Sequence, residues 1–85
     1  MVYNTPMNDA LGNPIELNAS YLVIDQDGMY QTTILGKAIS RQRGYVSLQV
    51  EKMLAFKNGL RAPEFDMNGG EGILAFEASR LVKTS

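Results

Sequence analysis

The chain has 85 residues, enough for one domain with a small hydrophobic core. Its 8 basic and 9 acidic residues leave a net charge of -1, which excludes a strong electrostatic attraction to nucleic acid or to an anionic membrane. Cysteine and histidine are absent, which excludes disulfides, cysteine and histidine nucleophile systems, and the usual ligands of zinc, copper and iron.

The N-terminal stretch, residues 1–19, is interrupted by Pro6, Gly12 and Pro14 and shows no hydrophobic period. It predicts an extended N-terminal arm in front of a single domain at residues 20–85. A frayed terminus is the simpler interpretation, and an arm that docks on a partner is the alternative that its apolar side chains support. The stretch lacks the basic and apolar regions of a signal peptide, and no apolar run approaches membrane-span length, so we expect a cytoplasmic protein without membrane partners.

Two strands joined by a hairpin are predicted after the arm. A β-branched and aromatic run over 21–24 precedes Asp27-Gly28, a typical hairpin turn, and residues 29–35 supply the returning strand. Gly36 within the same run predicts a bulge or a sharp bend.

Residues 41–44 predict a polar turn before a segment, 45–51, in which apolar and polar side chains alternate. That alternation favours a half-buried strand. The alternative is a helix over 47–57 that ends at Asn58-Gly59, because good helix formers follow the alternating segment.

The C-terminal third begins with residues 58–72, whose glycines and proline predict a long loop. Residues 73–76 predict a short buried strand, 77–80 a single helical turn, and 81–83 a closing strand. The alternative for this region is one helix over 72–83.

Short apolar segments separated by turn residues predict an all-β fold, or a β-rich fold with one short helix, arranged as a small antiparallel barrel. The layout resembles an SH3-like barrel, and the likeness is carried by Gly36, residues 44–50 and residues 72–82. The alternative fold is a small helical domain, with helices at 32–43, 47–58 and 72–83.

The layout is also similar to the small barrel of plasmid-encoded dihydrofolate reductases, which are tetramers. Their apolar signature strand corresponds to residues 73–76 here, but the polar and aromatic residues that their chemistry uses are missing from it. The resemblance therefore implies a fold and not an activity.

Acidic residues form no pattern that predicts a metal or catalytic site. Residues 25–28 resemble the start of a calcium loop, but Met29 and Gly36 stand where an EF-hand requires oxygen ligands. Solvated loop positions are the better interpretation of the carboxylates around the glycine-rich stretch, which are Glu64, Asp66, Glu71 and Glu77. We expect no catalytic residue, no metal and no cofactor.

Basic residues suggest an alternative function. Arg41 and Arg43 flank Gln42 in the predicted polar turn, where two guanidinium groups could grip a phosphate or a carboxylate. Tyr45 follows and could stack on a base or anchor a partner. A small barrel that binds nucleic acid through Arg41, Arg43 and Tyr45 is therefore the alternative, although the nine acidic residues dilute its basic surface.

Large apolar residues favour a different reading of the surface. Four of them are difficult to bury together in a domain this small, and an exposed group would mark an interface: Met53, Phe56, Leu60 and Phe65. We therefore expect a non-enzymatic protein-protein interaction or assembly module with a protein partner and a tendency to form homo-oligomers. Its interface residues are predicted to be Tyr3, Met7, Tyr45, Phe56 and Phe65.

Small size, an apolar arm and the lack of a catalytic set also fit an accessory or structural protein of a phage or virus. Such a protein would be located in the virion rather than the cytoplasm. A third hypothesis is an enzyme whose active site is shared between subunits, which requires a pocket that sequence alone does not reveal.

Overall fold

Extended backbone dominates the computed structural model, which describes residues 7–68 and 72–84. The strands of this part of the chain are β1 (Ser20–Asp27), β2 (Tyr30–Gln42), β3 (Tyr45–Lys57), β4 (Leu60–Arg61), β5 (Met67–Asn68), β6 (Ile73–Glu77) and β7 (Val82–Lys83). Two short 3-10 turns lie at Pro63–Phe65 and Ala78–Arg80, and no α-helix occurs within the described residues.

The prediction of an all-β fold is confirmed, and the alternative of a small helical domain is wrong. The ranges 32–43 and 47–58 lie in β2, β3 and the turns that end them, while 72–83 is divided between β6, a 3-10 turn and β7. Val46, Leu48 and Val50 are all buried while the residues between them are more exposed, so burial follows the two-residue period of a strand. The helical turn predicted at 77–80 is confirmed as the 3-10 turn at Ala78–Arg80.

The strands form one antiparallel sheet in the order β4-β3-β2-β1-β7, and β5 and β6 pair with the same edge of β3 as β4 does. The sheet curls into a half-barrel. β2 and β3 form a long ribbon at its centre, and the molecule extends over 47 × 24 × 22 Å. The ribbon gives the molecule two ends whose surroundings differ.

Three tight turns connect the first four strands. Asp27 pairs with Tyr30 across a turn that contains Gly28, which confirms the predicted hairpin. The β2–β3 turn, Arg43-Gly44, and the β3–β4 turn, Asn58-Gly59, each contain two residues with positive φ. The predicted polar turn at 41–44 is therefore shorter than expected, because Arg41 and Gln42 still belong to β2.

Gly36 marks a bulge, as predicted. It pairs with Val50 while Leu35 pairs with Lys52, so Glu51 has no partner across the ribbon. A Cβ atom at Gly36 would lie 2.9 Å from the Gln49 carbonyl oxygen and from the Leu48 Cβ atom, so only glycine fits. The bulge divides the ribbon into a proximal half, residues 36–50 with β6, and a distal half, residues 30–35 and 52–57 with β4 and β5.

The hydrophobic core lies mainly beneath the proximal half. Its buried members are Ile15, Tyr21, Val23, Ile34, Ala38, Val46, Leu48, Val50, Phe76, Ala78 and Leu81.

Residues 7–19 lie across this core rather than away from it. Ile15 is only 1% exposed, and the Glu16 backbone N–H donates to the buried Tyr21 hydroxyl at 2.9 Å. Arg41 donates to the Ile15 carbonyl oxygen at 2.6 Å, and an ion pair between Lys83 and Glu16 joins this segment to β7. The described part of the N-terminal segment therefore covers the proximal half and leaves the distal half uncovered.

Two different contacts cover the edge of β1 that does not pair with β2. Among the described residues, β7 pairs with Tyr21 and Leu22 of β1. Beyond that point the Arg80 guanidinium donates to the Ile24 carbonyl oxygen at 2.8 Å and contacts the Asp25 carboxylate at 3.3 Å. A side chain thus takes the place that a longer strand would occupy.

The prediction of a long loop at 58–72 is wrong for most of the residues that the structure describes there. It contains β4, the 3-10 turn at Pro63–Phe65 and β5. Both strands are only two residues long, so they add hydrogen bonds to the edge of β3 without producing a pattern of alternating side chains.

Candidate functional site

A cluster of exposed apolar side chains lies on the distal half of the sheet. We call it the distal apolar surface and define it as Met29, Tyr30, Leu60, Phe65 and Met67, which are 42–74% exposed. Strand register places Tyr30, Leu60 and Met67 on the same side of the sheet as the core, and Phe65 contacts Tyr30. Monomeric domains rarely leave large apolar side chains grouped in this way, so the cluster is a candidate interface.

The strand register brings these residues together. Tyr30 pairs with Lys57, and Lys57 pairs with Leu60, so these side chains form one row on one face of the sheet. The Tyr30 and Phe65 rings meet edge to face, with centroids 6.0 Å apart and an interplanar angle of 84°. The Lys57 ammonium lies 5.7 Å from the centroid of the Tyr30 ring, so a cation borders the aromatic pair.

A carboxylate clamp fixes the segment that carries Phe65. Asp66 accepts hydrogen bonds from the Ala55 backbone N–H at 2.8 Å and from the Arg61 guanidinium at 3.0 and 2.7 Å. Arg61 also donates to the Ala55 carbonyl oxygen at 3.0 Å. The bonds from Arg61 and then from Ala55 lower the pKa of Asp66 from 3.8 to about 2. Asp66 is thus a structural residue rather than one of a converging pair of carboxylates.

A second feature lies at the opposite end of the ribbon. An open groove of about 400 Å³ follows the outer face of the β2–β3 turn and is lined by Ser40, Gln42, Arg43, Tyr45 and Ser47. Cross-strand pairing explains its composition, because Ser40 pairs with Ser47 and Gln42 pairs with Tyr45. We call this feature the turn groove.

The structure separates the two arginines that were predicted to act together. Arg41 pairs with the buried Val46 and donates to Ile15, so it lies on the core side of the sheet. Arg43 lines the turn groove on the other side. A two-guanidinium grip is therefore not formed, whereas Arg43 and Tyr45 do lie together.

The predicted interface residues lie in different parts of the fold. Met7 is half-buried against the core, and Phe56 is half-buried with the Arg61 guanidinium 5.2 Å from its ring centroid. Tyr45 is exposed in the turn groove, and Phe65 belongs to the distal apolar surface. Tyr3 lies outside the described residues.

Sequence reasoning did not identify Met29, Tyr30 or Met67 as surface residues. Met29 lies in the hairpin turn after Gly28, and Tyr30 begins β2. Large apolar residues at a hairpin turn were a usable signal, because such positions lie at the end of a sheet. The sequence around Met67 contains no pattern that predicts its exposure, because Met67 is placed by its pairing with Met53 on β3.

The other described carboxylates that sequence analysis considered form no ligand cage. Within residues 7–68 and 72–84, no group of three or more acidic, cysteine or histidine side chains could hold a metal ion. Asp25 contacts Arg80, and Glu71 lies outside the described residues. No helix in the described part of the chain is long and apolar enough to cross a membrane.

Comparison with known proteins adds no further assignment. No protein-family model, no curated protein and no solved structure matches this chain.

Proposed function

We propose that this protein is a non-enzymatic interaction module that self-associates through the distal apolar surface. The observation that carries the proposal is the group of five exposed apolar side chains, with Tyr30 and Phe65 in ring contact, at the end of the sheet that residues 7–19 leave uncovered. Burying such a group against a second copy would remove it from water, and a small domain without disulfides gains stability by this means.

Charge placement favours a second copy over an unrelated partner. The row that contains Tyr30 begins with Asp27 on β1 and continues to Lys57 on β3, so it carries an acidic and a basic end. A two-fold axis near Tyr30 would bring Asp27 of one copy towards Lys57 of the other, which is the self-complementarity that an isologous interface requires. The net charge of -1 adds little repulsion between copies.

We also infer an SH3-like arrangement for the half-barrel. It is supported by the long bulged ribbon and by the 3-10 turn that joins β6 on one edge of the sheet to β7 on the other. A role as an accessory or structural protein in a phage or virus is consistent with an assembly module of this kind, and this step rests on association rather than on contact geometry.

Sedimentation equilibrium over a range of protein concentrations tests self-association. The wild-type chain is expected to form dimers, and Phe65→Glu is expected to be monomeric because it places a charge in the middle of the apolar surface. Leu11→Glu is the matched control, since Leu11 is 69% exposed but lies on the segment that covers the proximal half. A monomeric wild-type chain, or equal dissociation of both variants, would refute the proposal.

Charge reversal tests the two-fold arrangement itself. Asp27→Lys and Lys57→Asp should each weaken the dimer, because each places like charges opposite one another. An equimolar mixture of the two variants should form heterodimers, and the double variant should recover self-association. If neither combination recovers dimers, the proposed axis is wrong even where Phe65→Glu dissociates the protein.

A further inference from the structure

The turn groove contains an arginine at a position whose backbone conformation is unfavourable for arginine. Arg43 occupies the first central position of a two-residue turn with φ of 53°, where asparagine or glycine is preferred. The chain uses that preferred residue in the β3–β4 turn, where Asn58 has φ of 51°. Residues held in uncommon backbone conformations cluster at functional sites, so Arg43 is a candidate for a functional role.

Arg43 is also the arginine whose guanidinium has no partner within the described residues. Arg41 donates to Ile15, Arg61 to Asp66 and Arg80 to Ile24. These three guanidinium groups hold parts of the fold together. Arg43 instead lines the turn groove, and its guanidinium can donate two parallel hydrogen bonds to the oxygens of an anion.

The neighbours of Arg43 add hydroxyl groups and an aromatic face. Ser40 and Ser47 are directly paired across the ribbon, so both can offer hydroxyls to the groove, and Gln42 adds an amide. Tyr45 is 52% exposed, so part of its ring is available for stacking. A volume of about 400 Å³ is within the range of small-ligand sites.

We propose that the turn groove binds a nucleoside phosphate. Arg43 holds the phosphate together with the hydroxyls of Ser40 and Ser47, and the base stacks on Tyr45. Glu77 pairs with Tyr45 from β6 and lies on the same face, where its carboxylate can accept hydrogen bonds from sugar hydroxyls. One cation beside one carboxylate suits a single phosphate rather than a triphosphate.

A free nucleotide and a nucleotide within single-stranded nucleic acid share this chemistry. Calorimetric titration should therefore compare AMP, adenosine, ribose 5-phosphate, inorganic phosphate and a short single-stranded oligonucleotide. Binding of AMP well above adenosine and inorganic phosphate supports the proposal, and tighter binding of the oligonucleotide identifies a nucleic acid strand as the source. Absence of binding by both AMP and the oligonucleotide, or equal binding of AMP and inorganic phosphate, overturns it.

Substitutions assign the binding to the groove. Arg43→Asn keeps a residue suited to the turn and should weaken AMP binding about tenfold or more, because it removes the charged donor. Lys52→Gln removes one positive charge from the distal half and should leave AMP binding unchanged. Tyr45→Ala should also weaken binding, and unchanged affinity in both groove variants contradicts the assignment.

The titration can be repeated in Phe65→Glu to keep the two proposals separate. If that variant is monomeric and still binds AMP, the groove acts independently of self-association. Loss of AMP binding in a folded Phe65→Glu monomer would contradict an independent groove.

Discussion

The β2–β3 turn and the β3–β4 turn have similar φ angles but different sequences. Arg43-Gly44 and Asn58-Gly59 each connect two antiparallel strands with two residues of positive φ. Asparagine tolerates this backbone better than arginine does, so the distal turn follows local preference and the proximal turn does not. The distal turn therefore has the residue that its backbone prefers, whereas the arginine in the proximal turn is the side chain that the proposed nucleotide site uses.

Side-chain burial favours the proximal half, whereas turn sequence favours the distal half. The proximal half has a covered core in which Val46 and Leu48 are fully buried. The distal half has favourable turns but leaves Tyr30 and Phe65 exposed on the same side of the sheet. Each half therefore has one feature that lowers its stability. In the proximal half it is the turn, and in the distal half it is the exposed apolar surface.

Gly36→Ala should change the stability of the chain most, because Gly36 forms the bulge between the two halves. The added Cβ atom would meet backbone at 2.9 Å, so we expect a loss of about 2 to 3 kcal/mol in the free energy of unfolding. Gly72→Ala is the control, since the nearest atom to its Cβ would be 4.0 Å away. Urea unfolding measures both variants, and equal losses would show that the bulge does not require glycine.

Exchanging the turn residues should have a smaller effect, with opposite signs at the two turns. Arg43→Asn should raise the free energy of unfolding by about 1 kcal/mol, and Asn58→Arg should lower it by a similar amount. The double variant should return close to the wild-type value, because the turns are far apart along the ribbon. Thermal and urea unfolding measure these changes, and a loss in Arg43→Asn would show that Arg43 contributes contacts that outweigh its strain.

Acid should destabilise the distal turn region before the proximal one. We expect this to be the smallest of the three effects. The pKa of Asp66 is about 2 in the folded chain and 3.8 ordinarily, so the clamp contributes stability above pH 3.8. That contribution is lost as the pH falls from about 4 to about 2 and Asp66 becomes protonated. Hydrogen exchange at the Ala55 amide should accelerate in this range, while the Val46 amide should not. In Asp66→Asn the Ala55 response should disappear.

The sequence predicted β1, β2, β6 and β7, but it missed β4 and β5 and predicted only the first half of β3. Val46, Leu48 and Val50 alternate as a strand should, and then the unpaired Glu51 shifts the alternation by one residue. Met53 and Ala55 consequently face the core side of the sheet. A three-residue step from Val50 to Met53 resembles helical spacing, so the bulge accounts for the helical alternative that the sequence left open.

The candidate sites were predictable only in part, because they depend on contacts between distant segments. Arg41 and Arg43 look equivalent in the sequence, yet the packing of Ile15 engages one of them and leaves the other at the groove. Phe65 was recognised as difficult to bury, whereas the Asp66 clamp that positions it requires Ala55 and Arg61 to be brought together by the fold.

The contact between Arg80 and β1 has a consequence for growth of fibrils. An exposed strand edge offers carbonyl groups to any extended peptide that approaches it. The Ile24 carbonyl oxygen already accepts a hydrogen bond from Arg80, and the bulky charged side chain obstructs an incoming strand. A chain with almost no net charge thus gains local protection against amyloid-like stacking along β1 from a single arginine.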